Sequence, residues 1–163
     1  MTGTKRRSIA PLLLVPAAVL VTATLLVMRM RLEPPTVPAY ALAPIADAGE
    51  LLLHPADPFR LTLRPDGAVE GAVAARGFLL RGNDVRAWDP PFTVDRDGTV
   101  RLDGSVGGLF ADVPLGPWDV AVAVGRPETL PTAPRDVLRA RDADAASQNA
   151  AWRLVRERIV LED

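Results

Sequence analysis

"VPLGPWDVAVAV", Val113–Val124, sets Trp118, Val120, Val122 and Val124 at every second position, with Asp119, Ala121 and Ala123 between them. A spacing of two sends each set to its own side of an extended chain, so this is a β-strand with one apolar face. Pro114, Gly116 and Pro117 just ahead of it exclude a helix there, because proline fixes φ and lacks an N–H. Burying Trp118 and the three valines contributes about 6–10 kcal/mol of gross transfer free energy. The spacing therefore predicts a strand in the centre of a sheet.

The same period extends outward on both sides. "FRLTLR" places Phe59, Leu61 and Leu63 on one face, and "AVAARGFLL" (72–80), "PFTV" (91–94) and "TVRL" (99–102) are further short apolar runs. Asp66-Gly67, Asn83-Asp84, Asp97-Gly98 and Asp103-Gly104 punctuate them with residues that favour hairpin turns. Short strands at regular intervals predict a mainly β domain over residues 50–163: an antiparallel β-sandwich of the immunoglobulin-like or prealbumin-like kind. About 110 residues bury enough surface to stand alone.

One short helix is expected after Gly125. In "TAPRDVLRA", Thr132 suits an N-cap, Pro134 the first turn and Asp136 the positive end of the helix dipole. A polar loop, "DADAASQN", follows. "AWRLVRERIVLE" then returns as a terminal strand whose imperfect alternation predicts a bulge or a sheet edge.

The chain ahead of this domain has a different character. "IAPLLLVPAAVLVTATLLVM", Ile9–Met28, carries no charge, and 20 helical residues span about 30 Å, the thickness of a bilayer's hydrocarbon layer. Lys5, Arg6 and Arg7 flank it on one side and Arg29 and Arg31 on the other, placed to reach lipid headgroups. A signal peptide is the rival, but its apolar stretch is usually only about 7–15 residues, with a small-residue cleavage site just after it. "AYA", Ala39–Ala41, lies too far downstream. The expectation is a tail at 1–8, a single transmembrane helix at 9–30 in contact with the lipid bilayer, and a proline-rich linker at 31–49. Positive charge favours a cytoplasmic N-terminus, which puts the β domain in the periplasm of a bacterium with the chain held in the inner membrane.

Composition removes several chemistries. The chain has no cysteine and a single histidine, His54, so disulfides and thiolate sites are excluded. Beyond residue 31 there are 14 arginines against all 20 acids, a balance of −6, and a net negative domain without clustered cations is unsuited to nucleic acid.

The stretch "DGTVRLDGSVGGLFADVPLGPWDVAVAV" resembles the "DG…L…LPPGxYxLxV" pattern of small prealbumin-like and immunoglobulin-like modules. The longer run from Phe78 to Pro131 is also similar to periplasmic modules of single-pass, anti-sigma-factor-like membrane proteins of myxobacteria. That resemblance implies a sandwich on the far side of the membrane. It does not extend to sigma-factor binding, because the zinc domain that precedes the membrane helix in such proteins has no counterpart in Met1–Ser8.

Individual candidates for chemistry read as structural. Asp95-Arg96-Asp97-Gly98 matches the start of a calcium loop, but the twelfth position, which should be Glu, is Gly104. "DGSVG" around Ser105 nearly matches a nucleophile elbow, yet no strand-to-helix turn is expected after it and His54 sits on an early strand. Asp142 and Asp144 lie in the polar loop. Trp118 should be core. Trp88 and Trp152 are the candidates for gripping a partner, since exposed aromatics on a sandwich can stack on a ligand. The reading is a non-catalytic binding, sensor or accessory module with no cofactor and no metal, whose partner is an envelope protein. A hydrolase or metal-dependent enzyme built on surface carboxylates, and a structural protein pairing through an edge strand, are the alternatives.

Overall fold

The computed structural model describes residues 37–43, 51–142 and 151–163. The expected span at 9–30 lies outside them; among the described residues no helix is long and apolar enough to cross a membrane. The elements are β1 (Tyr40–Leu42), β2 (Leu51–Leu53), β3 (Pro58–Pro65), β4 (Ala74–Arg81), β5 (Asp84–Trp88), β6 (Thr93–Val94), β7 (Val100–Ser105), α1 (Val106–Leu109), β8 (Gly116–Gly125), a 3₁₀ turn (Pro127–Thr129), α2 (Pro134–Asp142) and β9 (Trp152–Leu161).

The strands form a four-stranded sheet, β1-β3-β7-β6, and a five-stranded sheet, β2-β9-β8-β4-β5. The expected central strand is β8, third of five. Its Trp118, Val120, Val122 and Val124 face Phe59, Leu61 and Leu63 of β3 and Val100 and Leu102 of β7, all buried in one core. The described residues are mainly β, with two sheets and few helices. One pairing departs from the antiparallel expectation: β2 runs parallel to β9, so the larger sheet is mixed.

The alanine side of β8 is also buried. Ala121 and Ala123 join Phe78, Leu80, Leu130, Val137, Trp152 and Leu154 in a second core beneath α2. The same layer explains β9. Its register against β8 runs without a break from Gly116↔Leu161 to Gly125↔Trp152, so there is no bulge, and it lies between β2 and β8 instead of at an edge. The alternation breaks because Trp152 and Leu154 pack under α2, whereas Ile159 and Leu161 face the other sheet.

The turn signals divide. The signal at Asn83-Asp84 falls one residue late: Asp84 opens β5, and Gly82-Asn83 closes the β4–β5 hairpin, with Arg81 opposite Asp84 and Gly82 at φ +58, as a glycine-first two-residue turn requires. Asp97-Gly98 turns β6 into β7. Asp66-Gly67 ends β3 without a hairpin, since β3 and β4 belong to different sheets. Asp103-Gly104 is not a turn at all but part of β7, paired with Arg60 and Phe59. Gly104 is there because α1 lies close: a Cβ would meet Leu109 Cγ at 2.9 Å.

Two boundaries move. Residues 37–43, expected in the linker, belong to the fold: Val37 and Tyr40 are buried in the main core, and β1 pairs with β3. The helix α2 opens at Pro134 with Asp136 in its first turn, so Ala133 and not Thr132 immediately precedes it.

Candidate functional site

Both tryptophans proposed for partner contact are interior. Trp88 is 7% exposed; its ring stacks on Phe110 at 5.1 Å and meets Phe92 edge-on, and its Nε1 donates to the Leu109 carbonyl at 2.9 Å. Trp152, also 7% exposed, fills the second core. Neither offers a ring face to solvent, because each is the large residue that closes a layer. Trp118 is buried as expected, with Arg81 over its ring at 4.1 Å and its Nε1 donating to Pro114 O at 2.7 Å.

A strand-to-helix turn does follow Ser105, contrary to expectation. Ser105 ends β7 and caps α1, its Oγ accepting from Gly108 N at 3.2 Å. Pro55 and Asp57 carbonyls accept from Gly107 and Val106 N–H, which brings the loop of His54 to the same corner. The imidazole is engaged elsewhere: Nδ1 lies 3.0 Å from Asp163 O and Nε2 3.9 Å from Glu162 Oε2. Ser105 acts here as a helix cap.

The aspartates of the 95–98 turn are also occupied. Asp95 Oδ2 accepts from Arg101 Nε at 2.8 Å, a contact that raises the guanidinium's pKa further. Asp97 Oδ1 accepts from Thr99 N at 2.9 Å, and hydrogen bonds from Thr99 hold its carboxyl below the usual value. Among the described residues no group of three or more His, Cys, Asp or Glu is arranged to hold a metal ion. Asp144 and the side chain of Asp142 lie outside what is described.

The feature the sequence reading missed is Arg126. It follows β8 directly and is only 8% exposed. Its Nη1 donates to Ala72 O at 3.0 Å, while its Nε is buried without a hydrogen-bond partner. Among the described residues no carboxylate lies within ion-pair distance of it. Two loops and a strand converge around it. Residues 66–73 bring Gly71, where φ is +75 and a Cβ would meet Arg126 Nη1 at 2.6 Å. Residues 95–99 pack on the first loop, since a Cβ at Gly98 would meet Val69 Cγ2 at 2.6 Å. Tyr40 ties in from β1, its hydroxyl donating to Gly98 O at 3.1 Å; burial raises its pKa, opposed in part by the charge of Arg126.

An open cavity of about 390 Å³ lies over this end, lined by Glu70, Gly71, Ala72, Arg126, Pro127 and Glu128. A second of about 240 Å³ runs between the 69–73 and 94–98 segments. An arginine after a valine run carries no local mark of burial, so only its position between loops distant in sequence could reveal it. Comparison with known proteins finds no family model that matches this chain and no curated protein that resembles it in sequence.

Proposed function

We propose that this chain is a membrane-anchored, immunoglobulin-like module of the bacterial envelope that acts by binding, and that it binds through the end carrying Arg126. Strand order supports the fold. β1-β3-β7-β6 follows the ABED order of immunoglobulin sheets, and β9-β8-β4-β5 follows the GFC order with one added strand. β2 is then the first strand continued onto the second sheet. In such domains the B–C and F–G loops share one end; their equivalents here are residues 66–73 and the connection after Gly125.

The observation that carries the binding reading is the guanidinium of Arg126, buried at the meeting point of those loops beside an open cavity. A buried charge without an ionic partner is expensive to maintain, and rigidly held loop ends are where binding residues concentrate. The uncharged stretch Ile9–Met28 has the length to anchor the chain in lipid. The partner is an envelope protein.

The test uses the full chain in its native membrane, with a photocrosslinking residue installed at Ala68, Arg96 or Glu128, or at Leu115 as a control. The reading predicts membrane-bound chain and discrete adducts from the first three positions but not from Leu115. Chain recovered free in the aqueous fraction, or adducts independent of position, would overturn it.

A further inference from the structure

We infer that the cavity over Arg126 is a site for a small zwitterion of the α-amino-acid class, the carboxylate meeting Arg126 and the ammonium meeting Glu70 and Glu128. The inference rests on the binding reading above and adds a small-molecule ligand at the same end of the domain. Arg126 provides the anionic half of recognition. Its side chain is nine-tenths buried, its Nε N–H has no acceptor among the described residues, and the hydrogen bond from Nη1 to Ala72 O brings no negative charge. A guanidinium in that state favours a carboxylate, which matches its planar fork of donors. Gly71 leaves Arg126 its place beside the cavity, because any Cβ there would press on Nη1.

A plain anion is a poor fit for the remainder of the lining. Glu70 and Glu128 are exposed on the same cavity, and among the described residues neither forms an ion pair. Two carboxylates repel a dianion and attract an ammonium group, so a ligand carrying one charge of each sign satisfies all three side chains. Neither half of the site suffices alone: the acids would bind any cation weakly in water, and the arginine alone would take any carboxylate. The volume, about 390 Å³, falls at the lower end of small-molecule sites, in keeping with one amino acid or a short peptide end and not a large cofactor.

The experiment is calorimetric titration of the full chain in detergent with L-amino acids, and with acetate and methylammonium as the separate halves. At least one amino acid should bind about tenfold or more tighter than either half. Arg126→Gln should abolish that binding. The pair Glu70→Gln and Glu128→Gln, both exposed and without an ion pair among the described residues, should bring amino-acid affinity down to that of acetate. If no amino acid binds, or acetate binds as tightly as the amino acids, the zwitterion site is wrong. Loop-end crosslinks that persist in that case would leave the binding reading standing, whereas loss of both would remove the two together.

Discussion

Tyr40 is the chain's one tyrosine, so its titration can be followed without interference in ultraviolet absorbance. Burial raises its pKa above 10.0, meaning that the folded state holds the phenolic proton more tightly than the unfolded chain does. The stability this provides is complete below pH 10.0 and is lost as pH rises through the folded value. Tyrosinate absorbance should therefore appear above pH 10.0 in the folded chain, and Tyr40→Phe should flatten the alkaline end of the stability profile. A titration midpoint at the ordinary value of 10.0 would contradict this. Asp97 has the opposite sign: its lowered pKa contributes stability that is present above about 3.8 and is lost as pH falls further. Asp97→Asn should reduce the loss of stability on acidification, measured by denaturant midpoints on either side of that value. Gly125 makes a third case. A Cβ there would meet Ala151 O at 2.6 Å and Trp152 Cα at 2.7 Å, backbone atoms that cannot swing aside, so Gly125→Ala should cost about 1–3 kcal/mol in a denaturant titration.

At the scale of elements, α2 and β8 depend on each other. Ala121 and Ala123 share one buried cluster with Val137 of α2. Ala123→Leu should overpack the layer and destabilise by about 1–3 kcal/mol, whereas Trp152→Ala should leave a cavity costing about 3–5 kcal/mol. Both are read from thermal or denaturant midpoints; a neutral Ala123→Leu would mean that α2 is not seated on the sheet. Elements were also where the sequence was most and least legible. The alternation in Phe59–Leu63 and in Trp118–Val124 identified strand, face and core correctly. The run at 72–80 also proves to be a strand, β4, whereas β9 misled because its buried apolar residues lie on one face at its start and on the other at its end. Asp103-Gly104 has the composition of a turn, yet the glycine is required by Leu109 approaching from α1, a contact absent from local sequence.

For the whole molecule, the place where the domain begins follows from what is buried. Val37 and Tyr40 lie in the main core, and Arg153 Nε donates to Val37 O, so residues 37–43 are part of the fold and not of a tether. A chain starting at Val37 should unfold cooperatively with β circular dichroism. One starting at Gly49 lacks β1 and both of those side chains and should be destabilised by several kcal/mol, since losing a single large core residue already costs about 2–5 kcal/mol. Equal midpoints for the two would refute this account of the boundary.

By itself the sequence determined that the chain beyond the linker is built of short strands, which of their faces are apolar, and that an uncharged stretch of bilayer length precedes them. These are local properties, set by the spacing of side chains along one segment. Tertiary structure decided which strands pair, that β2 joins β9 in parallel, that a second layer covers the alanines of β8, and that Arg126 meets Ala72 from 54 residues away. The reason is physical: periodicity records that a face is covered, but what covers it depends on packing between segments far apart in the chain.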